Sequence, residues 1–402
     1  MSRKRSLADL ADDTIRGKRV LLRVDFNVPI EDGRVTDATR IEATLPTLRY
    51  LTERGARTIL VSHLGRPKGR RDPSMSLEPA AKKLEEMLGT SVAFVDDISG
   101  EAATAAIDAL EPGGVLVLQN VRFEPGEEKN DATLGQRLAG YGDVYVNDAF
   151  GTAHRAHSST AAAPEAMRAA GKPAVAGFLI GRELEFLGSA LDAPKRPFVA
   201  ILGGAKISGK LDVIEALLPR VDQLLIGGAM ANTFFRALDL ETGDSLIEPD
   251  RVQMAAELLQ RAEVKLLLPI DCVIAEKAEP GAEKQIVARS AVPAGSRILD
   301  IGPATVAAFA ERIEVAGTIL WNGPMGLFEI PDFADGTRGV AEACARATRA
   351  GAITVAGGGD TAAALEAAGL ADAVTHVSTG GGASLEFLEG RELPGIAILD
   401  DA

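Results

Sequence analysis

The stretch FVAILGGAKISGKLDV (198–213) opens as an unbroken apolar run, passes through paired glycines and two lysines, and closes in a helix-like pattern. Gly204, Gly209 and Lys210 fit the spacing G-x-x-x-x-G-K of a triphosphate-binding loop, which requires Ser or Thr next to place a hydroxyl on Mg²⁺. Leu211 stands there instead. The match is therefore read as coincidental, and the stretch as a strand, a glycine-rich turn and a helix. Lys206 and Lys210 lie four residues apart, so both ammonium groups share one face if the turn is helical. Such a pair can neutralise a phosphoryl group without a hydroxyl at 211.

Working outward, the same alternation recurs. The first half carries RVLLRVDF (19–26), TILVSHL (58–64), VAFV (92–95), VLVLQNV (115–121) and DVYVNDAF (143–150). The second carries FVAILGG (198–204), QLLIGG (223–228), KLLLPIDCVI (265–274), RILDIGP (297–303), TILWNGP (318–324), ITVAGGG (353–359) and VTHVST (374–379). Continuous apolar strands separated by amphipathic helices predict parallel sheets covered on both faces. The expected fold class is α/β: two doubly wound, Rossmann-like lobes, as 402 residues also suggest. The segment 172–197 carries Leu184, Leu187 and Leu191 and ends at Pro194 and Pro197, which predicts a helix joining the lobes. The lobes are then expected over 1–171 and 198–383.

Bulk properties narrow the function. Net charge is −14, so nucleic acid is excluded as a partner, and any anionic ligand needs a local cluster of cations. Cys272 and Cys344 sit in apolar runs without C-x-x-C spacing and read as buried free thiols of a reducing compartment. The basic start leads into acidic residues rather than an apolar core, and no apolar run is long enough to span a bilayer. A soluble, cytoplasmic protein without a membrane partner is expected.

In open α/β sheets, ligands bind beyond the carboxyl ends of the strands. In the first half those positions hold Arg23, Asp25 and Asn27, then Arg40, His63 and Arg66, Arg122, and His154, Arg155 and His157. Arginine's planar fork matches phosphate and carboxylate oxygens, so this set predicts a pocket for a small, multiply charged anion. The histidines lack a completing carboxylate or Cys, so anion contact or plain hydrogen bonding is favoured over metal ligation.

In the second half the strand ends are rich in glycine, which lets backbone N–H groups approach a phosphate or a flat base. Asp360 and Thr361 open an Ala-rich helix and read as its N-cap. Asp360, beside three glycines, is also placed to hold a nucleotide-bound Mg²⁺. A plain cap residue remains the other reading. No G-x-G-x-x-G follows any strand, which argues against a dinucleotide site.

RVDFNVP, SHLGRP, NVRF, NDAFGTAHRAHSS, GGAKISGK, WNGPMGLFE, GGGDT and STGGGASLEFLEG occur here in order. Together they resemble the phosphoglycerate kinases from about residue 18 to 399. The resemblance implies a two-lobed enzyme moving a phosphoryl group between 1,3-bisphosphoglycerate and ADP. It implies a phosphoglycerate site on the N-terminal lobe at Asp25, Asn27, Arg40, His63, Arg66, Arg122 and Arg155. It implies a Mg-nucleotide site on the C-terminal lobe at Lys210, Gly227, Gly228, Asn322, Pro324, Glu329, Gly358, Gly359, Asp360 and Thr361, with Asp360 on the metal. Arg40 and Lys206 match the family's stabilisers of the transferring group, and 384–402 resembles a tail returning to the N-terminal lobe. A monomer that closes about the 172–197 helix is expected; the alternative is a non-catalytic binding protein of the same fold. Two departures from the family pattern are Gln119, where Glu is usual, and Gly209, where Asp is frequent.

The chemistry of such a transfer agrees with the residues. A carboxylate nucleophile is ionised at neutral pH and needs no general base, and no Ser-His-Asp or Cys-His set is apparent.

Overall fold

The computed structural model describes residues 3–402. The chain divides into two units: one runs to Leu184 and takes in Glu392–Ala402, and the other is Glu185–Arg391.

The first unit is built on β1 (Arg19–Arg23), α1 (Thr39–Glu53), β2 (Arg57–Val61), β3 (Val92–Val95), β4 (Val115–Leu118), β5 (Val144–Asn147) and β6 (Ala174–Ala176). The sheet order is β3-β4-β2-β1-β5-β6, and every pair is parallel. Val20, Leu22, Val117 and Val146 are fully buried, as β-branched and Leu side chains covered on both faces should be. Burying each contributes roughly 1.5–3 kcal/mol. Ile41, Leu45 and Leu48 of α1 repeat at helical spacing and pack into that core, which fixes the first turn of the helix and hence Arg40. Register decides where the site forms. Arg23 pairs with Val61 on one side and Asn147 on the other, and Val117 pairs with Leu60. The segments beginning at Val24, Ser62, Gln119 and Asp148 therefore leave the sheet at one edge.

β6 lies inside the stretch read as linker. It is three small residues long, too short to show periodicity, and it pairs with β5. The helix α2 (Phe178–Asp192) follows, and the division between units falls within it. The tail also differs from expectation. Residues 384–391 belong to the second unit, because the helix Gly382–Leu388 packs there; only Glu392–Ala402 joins the first. Asn147 Nδ2 donates to Gly395 O at 2.8 Å, and Arg168 pairs with Asp400 at 2.9 Å.

The second unit contains β7 (Phe198–Leu202), α3 (Leu211–Leu217), β8 (Gln223–Ile226), β9 (Leu266–Leu267), β10 (Asp271–Ala275), β11 (Gln285–Ala288), β12 (Arg297–Ile301), β13 (Thr318–Asn322), β14 (Ile353–Gly357), α4 (Gly359–Ala367) and β15 (His376–Ser378). Six strands form a parallel sheet in the order β9-β8-β7-β13-β14-β15, the dinucleotide-fold order despite the missing fingerprint. β10, β11 and β12 make a separate antiparallel sheet. The run 265–274 thus divides between two sheets, with Pro269 between them; its missing N–H interrupts a ladder.

Candidate functional site

In the first unit, buried cations gather at the carboxyl edge. Arg23 is only 1% exposed. Its Nε donates to Ser159 Oγ at 2.9 Å, one terminal nitrogen donates to Val24 O, and the other meets His63 Nδ1 at 3.3 Å. Because a guanidinium only donates, His63 Nδ1 accepts, and the neutral ring carries its proton on Nε2. Burial, reinforced by Arg23, Arg122 and Arg40, holds His63 well below the usual imidazole value. Burial, with Arg122 and Arg23 next, brings the buried His157 down to about 4.

Asp25 is the acidic counterweight. Arg40 Nη1 lies 3.2 and 3.1 Å from its two oxygens and also donates to Asn27 O at 3.2 Å. Asn27 Oδ1 accepts from Gly65 N at 2.8 Å, which holds the His63–Arg66 turn against the first strand's loop. Arg122 is buried, donates to Gly65 O at 2.7 Å and lies 3.5 Å from Glu128. Arg155 Nε donates to His154 Nε2 at 3.1 Å. Arg66 is exposed. Among the described residues no group of three His, Cys, Asp or Glu is arranged to hold a metal. Gln119, where Glu was the pattern, is buried and fully bonded. It accepts from Leu77 N and Asn120 N and donates to Ser76 Oγ and to Asp96 at 2.7 Å. A carboxylate there would face Asp96 with no proton to share.

In the second unit, Leu202 is level with Ile226 and Asn322, Asn322 with Gly357, and Gly357 with Ser378. The glycine-rich segments after β7, β8, β13 and β14 therefore emerge together. Their backbones touch: Gly204 N donates to Pro324 O, and Gly228 N to Met325 O, both at 2.9 Å. Gly228 has φ +65°, and a Cβ there would lie 2.4 Å from Gly204 N. Gly227 is closed in by the Met325 sulfur.

Lys210 occupies the switch point between β7 and β13. Its Nζ donates to Asn322 O at 3.0 Å and also to Asn322 Oδ1, while Asn322 Nδ2 donates to Gly357 O. Burial pulls this ammonium down to about 8, against the opposing influence of Asp360. Lys206 and Lys210 do not share a helix face. The segment between them is turn and bend, Lys210 is the N-cap, and α3 starts at Leu211. Gly203, Gly204 and Gly209, all between β7 and α3, disfavour an earlier start. Lys206 is exposed, near Glu248, whose carboxylate Ser208 binds through N and Oγ.

The cap of α4 is Gly358, at φ +94°, rather than Asp360 or Thr361. Only glycine tolerates that conformation, so the helix begins at Gly359 and leaves Asp360 exposed in its first turn. Thr361 is buried; its Oγ1 accepts from Gly323 N at 2.7 Å and donates to Gly357 O at 2.8 Å. It ties two strand ends together instead of facing outward. Beside this cluster lies a mostly apolar cavity of roughly 460 Å³, reached by Gly228, Pro324, Glu329 and Asp360. Leu299, Phe235 and Met325 also line it. They come from three separate segments; Met325 lies within WNGPMGLFE, and no local pattern marks Leu299 or Phe235 as site residues.

A family model described as phosphoglycerate kinase matches residues 10–391. The chain is 56% identical over 392 residues to a phosphoglycerate kinase of Chloroflexus aurantiacus, covering 96% of this chain and 97% of that one. It is 52% identical over 400 residues to one from a Picosynechococcus species, covering 99% and 100%. The structure of phosphoglycerate kinase from Coxiella burnetii aligns with a TM-score of 0.87 at 41% identity, over 98% of each chain. The Pyrococcus horikoshii enzyme aligns at 0.85 and 34%, over 99% and 98%.

Proposed function

This chain belongs to the phosphoglycerate kinase family, and we infer from that premise how its two clusters divide the work. It is a phosphotransferase that moves a phosphoryl group from 1,3-bisphosphoglycerate to ADP, giving 3-phosphoglycerate and ATP, and catalyses the reverse. The observation that supports the division most is that each unit presents positive charge at the carboxyl edge of its own sheet. Arg23, Arg40 and Arg122 do so in one, and Lys210 in the other.

On this reading Asp25, Asn27, Arg40, His63, Arg66, Arg122 and Arg155 bind the phosphoglycerate. In the reverse direction its carboxylate attacks the γ-phosphorus of ATP; the new O–P bond forms as the bond to the ADP oxygen breaks, and no proton has to be removed first. Lys210 and the N–H groups of Gly358 and Gly359, with Asn322 and Thr361 behind them, form the phosphate cradle, and Gly227 and Gly228, whose N–H groups are held by Leu202 O and Met325 O, let bare backbone come close to the nucleotide. The apolar cavity, with Pro324 and Glu329 on its wall, accepts the nucleoside. Arg40 and Lys206 compensate charge on the group in transit.

Mg²⁺ fits the residues present. Asp360 is an exposed carboxylate beside glycine backbone, and Mg²⁺ takes one or two protein carboxylates with phosphate oxygens and water rather than an all-protein cage. When bound, it neutralises charge on the phosphates. Among the described residues no helix is long and apolar enough to cross a membrane. Both clusters lie on one chain, which supports a monomer, and the two buried free cysteines fit a cytoplasmic location. Closure about α2 on binding both ligands completes the proposal; small-angle scattering should then show compaction only with both present, and an unchanged radius would refute it.

A coupled assay with 3-phosphoglycerate and Mg-ATP tests the reading. Lys206→Ala and Arg40→Ala should each lower turnover by on the order of a hundredfold. Unchanged turnover in both would refute their roles, and no 3-phosphoglycerate-dependent ATP consumption by the unmodified protein would refute the assignment itself.

A further inference from the structure

Beneath the cation cluster of the first unit lies a carboxylate that the reaction does not use directly. Glu127 is fully buried, at the start of the short turn Glu127–Lys129. One oxygen accepts from Ser159 N at 2.9 Å and the other from Ser159 Oγ at 2.5 Å. Ser159 Oγ in turn accepts from Arg23 Nε at 2.9 Å, and Arg23 reaches His63 Nδ1. His157 Nδ1 lies 3.9 Å from Glu127. The result is a continuous chain from carboxylate through hydroxyl and guanidinium to imidazole, with all four side chains at most 4% exposed.

A buried guanidinium needs a counter-charge, or its desolvation is uncompensated. Of the other acidic groups at this edge, Asp25 is held by Arg40, Glu128 lies against Arg122, and Asp148 accepts from Leu179 N and Ile180 N. Arg23 has no carboxylate among its hydrogen-bond partners. Glu127 is linked to it by the single hydroxyl of Ser159, whose proton points to Glu127 and whose lone pair faces Arg23. That directionality leaves the hydroxyl one consistent orientation. We propose that Glu127 is a positioning residue of the phosphoglycerate pocket, acting through Ser159 to lock Arg23 and, through Arg23, the His63 ring and its Nε2 proton. This rests on the site assignment made above.

Glutamine cannot replace this carboxylate. The two oxygens receive two donors from Ser159, whereas an amide keeps one acceptor oxygen and puts an NH2 donor in place of the other. Glu127→Gln would force either the Ser159 N–H or its hydroxyl to turn away and would release the Arg23 orientation. Ser159→Ala would break the same chain one step later while keeping the backbone N–H bond to Glu127. A lost hydrogen bond to a charged group corresponds to roughly a ten- to hundredfold weakening.

The test is steady-state kinetics and calorimetric 3-phosphoglycerate binding on the whole chain for Glu127→Gln, Ser159→Ala and the double variant. The KM and Kd for 3-phosphoglycerate should rise about tenfold or more in each single variant, with KM for Mg-ATP within about twofold. The double variant should be no worse than the weaker single one, because both cut one chain. Multiplying effects, or an unchanged Kd in Ser159→Ala, would overturn the proposal. So would a parallel rise in both KM values, the mark of general loosening. Should Glu127→Gln fail to fold, Ser159→Ala decides alone. If the unmodified protein itself does not bind 3-phosphoglycerate, the site assignment fails, and this inference with it.

Discussion

Lys210 offers a measurement in which site chemistry and folding energetics can be separated. Its half-buried ammonium is held against Asn322 and lowered from an ordinary 10.5 to about 8, loss of water being the main cause. A folded-state value below the unfolded one means that the unfolded chain binds the proton more tightly. Stability is therefore reduced at neutral pH and recovers as pH rises from 8 to 10.5. Between pH 7 and pH 10 the recovery from this one group is roughly 2–3 kcal/mol. Lys210→Met removes the titration, so the difference in unfolding free energy between the two proteins should move by that amount in favour of the unmodified chain. Other titrating groups are common to both and cancel. Urea unfolding of each at pH 7 and pH 10 reads the quantity directly. The same group sets a kinetic signature: kcat/KM for ATP, which reports the free enzyme, should fall about tenfold per pH unit above 8 as the cation is lost. A difference that does not change with pH, together with a flat kcat/KM to pH 10, would refute the picture of a desolvated cation held for the phosphates.

Thr361→Val keeps the shape but leaves Gly323 N and Gly357 O without their shared hydroxyl, and thermal or urea unfolding should show a loss of about 1–3 kcal/mol. Gly228→Ala places a methyl against Gly204 and Pro324 backbone at φ +65°, so nucleotide affinity measured by calorimetry should collapse, whereas Gly209→Asp, with only Lys206 O at 4.0 Å, should be neutral. Asp360→Asn should raise the Mg²⁺ concentration for half-maximal rate at least about tenfold without changing KM for 3-phosphoglycerate; an unaltered Mg²⁺ curve would remove Asp360 from the metal. His157, lowered to about 4, is neutral where the unfolded chain's imidazole is protonated, so stability falls as pH drops from 6.5 to 4. Relative to His157→Gln the fall should be roughly 3 kcal/mol between pH 7 and pH 4, read by urea unfolding.

The α/β class, the two-sheet organisation and the strand-end clusters were legible in the linear chain because they rest on local patterns. Val- and Leu-rich runs bounded by Gly and Pro announce buried parallel strands, and the sites of such sheets lie at strand ends. Asp25, His63 and Arg122 were picked out in that way, and the structure brings them to one sheet edge, where Arg40 joins them from the first turn of α1. Local pattern failed where long-range partners decide. Ala174–Ala176 is a strand only because Val144–Asn147 accepts it. Pro269 divides one apolar run between two sheets. The conformation of Gly358 starts the helix ahead of the Asp-Thr pair that predicts a cap. Thr361, which the resemblance puts in the nucleotide site, turns its hydroxyl inward because two strand ends leave an N–H and a carbonyl to satisfy. Nothing local marked Leu299, Phe235 or Glu127 for a site. Composition and periodicity report which side chains seek burial, and they act over a few residues. Which donor meets which acceptor at a sheet edge is set by register between strands far apart in sequence, and that exists only once the chain has folded.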